Sequence, residues 1–404
     1  MRESGRSRSR SRSRSREHVA SVASVVVAIA VLVGGCGVTG TSPSPSPTLH
    51  PTPSPTRAAS PSPTSIPHGV FAAAGSMKTA HGNAVLLHDG RVLMVGGPDS
   101  FGRAIAATEI FDPKTGLYSA GPVMTSPRLN PTVTAMADGS VLVAGGRDAT
   151  TSAQAAAEIL DSTGTIFTPT GSMTVPRTEA FAFLLPTGSV LIVGGKDPDA
   201  TLLSSAEVYN PKTGKFSLSG SMLQPRDDYG VTQLADGRVL VVGGCCTSGN
   251  LPFTSAEIYD TATGMFQSAG SMITGRRSPE VTALEDGLVL VAGGNASASA
   301  EVPLDSAEIF DPKTMVFRPT SAMKSPRTGA LAIPMQDYRV LIIGGTENKS
   351  TEIFDPSTGE FTAAASMIGS RSAASTAVLL QDGRIYIAGG GSEADETSAE
   401  MYLP

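Results

Sequence analysis

Tryptophan is absent from the 404 residues, and there are only five histidines and three cysteines. So few cysteines exclude a scaffold built from disulfides, leaving hydrophobic burial to hold the fold. Charged residues make up only 16% of the chain, and its net charge is -6 with an isoelectric point near 5.5. That balance argues against a nucleic-acid partner for the folded part, because phosphate recognition rests on clustered Lys and Arg. Helical periodicity is also scarce. What the chain does have is 40% hydrophobic residues, 44 Gly and 29 Pro. This composition supplies a large core divided into many short strands by turns.

The first seventy residues differ from the rest. Residues 1–16 form an Arg-Ser run, residues 19–33 are apolar and uncharged, and Val33-Gly34-Gly35-Cys36 follows. A basic segment, a short apolar stretch and small residues before a cleavage point predict a secretory signal. The four closing residues resemble the lipobox of bacterial lipoproteins, which implies that Cys36 becomes the lipidated first residue. A signal anchor and an ordinary cleaved signal are the alternatives. Residues 1–36 are thus expected to be an export segment. Residues 37–70, with Ser and Pro nearly alternating over 42–47, should form an extended spacer that cannot pack. The predicted location is outside the cytoplasmic membrane or at the cell surface, held by lipid.

From residue 71 onward the sequence repeats. Gly-Gly pairs stand at 96–97, 145–146, 194–195, 243–244, 293–294, 344–345 and 389–390. Each follows an apolar strand such as Val92-Leu93-Met94-Val95, and that strand follows a turn such as Asp89-Gly90 or Asp236-Gly237. Asp-Gly between β-rich runs is a strong hairpin signal. A third strand carrying Glu and an aromatic comes next (Glu109 and Phe111, Glu207 and Tyr209), then a turn such as residues 112–116, then a fourth strand with a second aromatic (Tyr118, Phe216).

The period near 50, the apolar run before Gly-Gly and the paired aromatics resemble the kelch family. The resemblance implies an all-β fold, a seven-bladed β-propeller spanning residues 71–404. The second aromatic, often Trp in that family, is Phe or Tyr here, and Leu160 replaces the first in blade 2. The folded region opens at Phe71 with a fourth strand and ends after a third, Ala399-Glu400-Met401-Tyr402. The N-terminal strand should therefore complete the last blade and close the ring, leaving no half-blade.

A feature present in every blade serves the fold, since a small ligand needs one such group and not seven. Glu109, Glu158, Glu207, Glu257, Glu308, Glu352 and Glu400 are read in this way, as are the methionines from Met124 to Met367. Arg128, Arg177, Arg226, Arg276, Arg327 and Arg371 each follow a methionine by four residues. They are expected to pair with a third-strand Glu or to cap link carbonyls, with a cationic ring facing a ligand as the alternative.

Propeller geometry in the family implies that the loops after Gly-Gly and the links between blades share one face, so irregularities there become candidate sites. One is an acidic group in consecutive links: Glu179, then Asp227 and Asp228 with Tyr229, then Glu280, with Arg226 beside it. Another is Cys245-Cys246, read as a candidate vicinal disulfide. The third is His81, in a link two residues shorter than the others. It replaces the repeated arginine when counted from Met77 but aligns with Asn130 and Glu179 when counted from the strand.

The resemblance extends to galactose oxidase and related copper radical oxidases, whose copper needs histidine and tyrosine ligands. Only His81 and His88 lie in this propeller, so no metal and no cofactor is expected. A mutarotase of the kelch type would need convergent acid/base groups, for which Glu179, Asp228 and Arg226 are candidates. Glycan stacking would fall to Phe101, Phe181, Phe253 and Tyr229. The adaptable loops 98–107, 147–156, 245–255 and 295–306 favour a monomeric binding module for a protein or adhesion partner at the cell surface, ahead of a glycan ligand or an enzyme.

Overall fold

The computed structural model describes residues 69–150, 152–246, 251–345, 349–371, 375–390 and 396–404, so the export segment, the spacer and Cys36 lie outside the described residues. Seven antiparallel sheets of four strands each form the blades, and no helix occurs among the described residues. Blade 1 comprises Asn83–Leu86, Val92–Val95, Thr108–Asp112 and Leu117–Ala120, from inner to outer strand. Blades 2 to 6 repeat this order. Blade 7 takes Ser375–Leu379, Ile385–Gly389 and Ser398–Leu403 from the C-terminus, and its outer strand is Val70–Ser76. The register runs from Val70 opposite Leu403 to Ser76 opposite Ser398. The first and last strands of the repeat region are thus joined in one sheet, as the repeat count predicts.

The second strand of each blade is buried on both faces, and this explains why these strands lack alternation. Val92–Val95, Val239–Val242 and their equivalents are buried at every position, as in strands sandwiched between two layers. The seven apolar cores lie between neighbouring blades. One unites Val92, Met94 and Phe111 of blade 1 with Tyr386, Ala388 and Met401 of blade 7. The repeated aromatics meet directly across the third and outer strands, with ring centroids at 4.9 Å for Phe111–Tyr118 and 4.5 Å for Phe310–Phe317. In blade 2, Leu160 takes that position opposite Phe167.

The Gly-Gly pair marks the place where the next link crosses closest. A Cβ on Gly145 would lie 2.4 Å from the Arg177 carbonyl, and its φ of +66° also favours glycine. The following N–H, that of Gly146, donates to this same carbonyl at 2.9 Å.

The arginine side chain then reaches forward to the next blade. Arg128 donates through Nη1 to the carbonyls of Gly145 and Ala156, and through Nε to Glu158 at 3.0 Å. Arg177, Arg226, Arg276, Arg327 and Arg371 repeat the arrangement with Glu207, Glu257, Glu308, Glu352 and Glu400. Each glutamate also accepts N–H bonds from the start of the link, such as Thr174 and Val175 on Glu207. Arginine therefore pairs with Glu as expected, but the carbonyls it caps belong to the next blade's Gly-Gly pair and to the residue before its third strand, not to the link. Pairs this deeply buried are tolerated because carbonyls, link amides and the opposite charge engage most of their donors and acceptors, although Nε of Arg177 and of Arg276 has no hydrogen-bond partner.

Candidate functional site

At four of the junctions two segments come together on the face that carries the links, the mouth of the ring. The residue after Gly-Gly pairs with the residue after the repeated arginine, giving the bridges Leu129–Arg147, Thr178–Lys196, Asp227–Cys245 and Arg277–Asn295. One residue further, the links turn through left-handed backbone at Asn130, Glu179, Asp228 and Ser278, with φ between 48° and 58°. Such conformations cost non-glycine residues energy and persist where the surroundings fix them.

An arc of ion pairs results, crossing blades 2 to 5. Glu179 is paired with Arg147 and, at 2.9 Å, with Lys196. Lys196 also reaches Asp227 at 3.1 Å. Arg277 lies 3.7 Å from Asp228 and bonds Glu301 at 2.9 Å, and Glu301 is in turn bonded by Asn295. Burial lowers the affinity of Lys196 for its proton, but Glu179 and Asp227 outweigh it and hold the ammonium above its ordinary range. Asp228 moves the other way: burial first and the neighbouring Asp227 second push it up to about 6.

A depression opens between blades 3 and 4, lined by Glu179, Phe181, Lys196, Asp227, Asp228 and Tyr229. Its position follows from Gly230. A Cβ there would lie 2.3 Å from Val281, so glycine lets the inner strand Gly230–Gln233 lean toward blade 5 and away from blade 3. Phe181 and Tyr229 fill the widened junction, edge to face at 5.0 Å.

The candidate residues thus separate into groups. Glu179, Asp227 and Asp228 meet at the mouth, joined by Lys196. Tyr229 is buried, and its hydroxyl donates to the Val193 carbonyl at 3.1 Å; burial raises it well above the ordinary phenol range. Arg226 is a member of the repeated scaffold: Glu257 and two carbonyls engage its guanidinium, which lies 5.5 Å from the Phe253 ring. His81 replaces the arginine of its junction, with Nε2 3.1 Å from Glu109 and Nδ1 on the Gly96 carbonyl. Counting from Met77 was the correct alignment.

Glu280 departs from the expected acidic group. It begins the inner strand of blade 5, two residues past the left-handed Ser278, and its buried carboxyl accepts the Ala330 N–H of blade 6 at 2.7 Å. The other oxygen has no hydrogen-bond partner, and burial pushes the group up to about 8. The cations Arg147, Lys196 and Arg277 were missed in the sequence. Their signal was position, since Arg147 and Lys196 follow Gly-Gly as Cys245 does.

Cys245 and Cys246 are joined in a vicinal disulfide, Cys245 buried and Cys246 exposed with φ of +90°. On the same loops, Phe101, Leu251 and Val302 point apolar side chains to solvent, at 80%, 77% and 48% exposure.

A model of the kelch motif matches residues 184–223. No curated protein matches the chain. Among solved structures, the chain is similar to a novel fungal alcohol oxidase with catalytic diversity among the AA5 family, in complex with copper. The TM-score is 0.68 at 20% identity, covering 83% of this chain and 76% of that one. At that identity the likeness is one of fold. The residues present do not fit a copper site of the kind described above. His81 is enclosed by Glu109 and Gly96, the two propeller cysteines bind each other, and no group of three or more His, Cys, Asp or Glu among the described residues is placed to hold a metal. Motif, repeat and seven closed sheets converge: the chain is a seven-bladed β-propeller that carries a kelch motif at residues 184–223.

Proposed function

We propose that the propeller is a monomeric binding module for a protein or adhesion partner at the cell surface, presented on a lipid-anchored stalk through Cys36. The observation that carries this reading is the state of the channel mouth. Its charged groups are largely engaged with one another, while apolar loop tips on the same face are exposed. A surface whose polar groups are satisfied and whose apolar anchors are free suits a protein contact. Nucleic acid is not a candidate, given the net charge.

A second reading, a glycan-binding face or a metal-free carbohydrate-modifying site, draws on Asp228. Its carboxyl is placed near 6 beside Lys196, a range suited to proton transfer at neutral pH.

The test uses cells displaying the exported chain. Capture of a defined surface partner, lost in Lys196→Glu, supports the first reading. Selective glycan-array binding, or sugar epimerisation lost in Asp228→Asn, replaces it with the second. Blocking lipoprotein signal-peptide processing should leave an unprocessed precursor if Cys36 is lipidated.

A further inference from the structure

Six of the seven junctions are fastened by a buried arginine, and the seventh by His81. That junction follows the outer strand Val70–Ser76, which closes the ring. It also lacks a backbone restraint. Where Arg147 and Lys196 donate N–H to the link, this junction has Pro98, which has none.

The partners of His81 define its protonation. Nδ1 faces the Gly96 carbonyl, and Nε2 faces a carboxylate oxygen of Glu109 at 3.1 Å. Both are acceptors, and a neutral imidazole has only one N–H, so only the imidazolium satisfies both. Arginine meets the equivalent acceptors as a permanent cation. Glu109 reinforces the arrangement: burial favours its neutral form, but bonds from His81 and from the Lys78 and Thr79 amides outweigh this and hold it below the usual carboxylate range.

We propose that the closing arm, residues 70–82, is fastened by a proton on His81, so that the ring is locked at mildly acidic pH and its seam loosens first as pH rises. Loss of that proton takes the donor out of the His81–Glu109 contact and leaves Glu109 the Lys78 and Thr79 amides alone, whereas arginine keeps its charge at the other six fastenings. The remaining charged groups around His81 do not supply the effect. Lys78 lies on the same link. Tyr118 and Tyr386 sit behind Glu109 with Arg371; burial holds Tyr118 near 12 and places Tyr386 well above the ordinary phenol value.

The experiment is hydrogen exchange of the full chain, corrected for intrinsic rates, at pH 5.5 and 8.0. The internal reference is the strand Thr132–Ala135, which follows the Arg128 fastening. Opening of Val70–Ser76 relative to this reference should rise roughly tenfold at pH 8.0, the scale of a lost charge-assisted hydrogen bond. His81→Gln should be equally labile at both pH values, and His81→Arg equally protected at both. Arg128→His should transfer the pH response to residues 132–135, which keeps the test decisive if a residue-81 variant fails to fold. An unchanged ratio in the wild type, or a wild-type pH response surviving in His81→Gln, overturns the proposal.

Discussion

The junctions between blades and the mouth of the channel are built from the same segments, yet they follow opposite rules. At the junction, Arg177 and Glu207 are buried and recur with almost the same partners in five other blades. A few residues further on, Lys196 and Asp228 are partly open beside a largely buried Glu179, and all three are unlike their counterparts Asn295, Ser278 and Asn130. Repetition is enforced where two sheets must dock at a fixed spacing. Variation is free where the chain meets solvent, and that is where recognition can be selected.

The sharpest way to break this comparison is to remove one scaffold cation. Arg177→Ala strands a buried Glu207 and two carbonyls and should destabilise the propeller by about 4 kcal/mol, measured by denaturant unfolding. Next in size is Glu280, a buried carboxyl outside both rules. Its folded-state value of about 8 lies above the ordinary 4.5, so the folded chain holds the proton more tightly and stability falls as pH rises across that window. Glu280→Gln should remove a penalty on the order of 3 kcal/mol at pH 9 and change little at pH 4, seen as thermal midpoints converging in acid. The smallest effect belongs to the mouth. Lys196→Ala should cost under about 1 kcal/mol in unfolding, because its pairs are partly solvated. It should nevertheless lower partner binding, opposite in pattern to Arg177→Ala.

The fold was legible because its signals recur. Seven Gly-Gly pairs, the aromatics seven residues apart and a fourth strand at Phe71 with none after Tyr402 defined blade number and closure. Buried ion pairing was legible for the same reason, since Arg and Glu keep constant positions in each unit. The site was only partly legible. Glu179, Asp227 and Asp228 stand out against other links, but Arg147, Lys196 and Arg277 join them through bridges between segments that sequence spacing does not reveal. Glu280 was misplaced because linear counting overlooked the left-handed turn at Ser278, which sets the register two residues earlier. Tyr229 looked like a surface ligand residue, yet the room left by Gly230 places it in the core.

The central claim is that recognition belongs to the face carrying the links and the loops after Gly-Gly. The most direct test puts a photoreactive residue at Leu251 on that face or at Tyr338 on the opposite one, both exposed, in the chain displayed on cells. The account predicts a defined cross-linked partner from position 251 and none from 338; cross-linking from 338 alone, or equally from both, would contradict it.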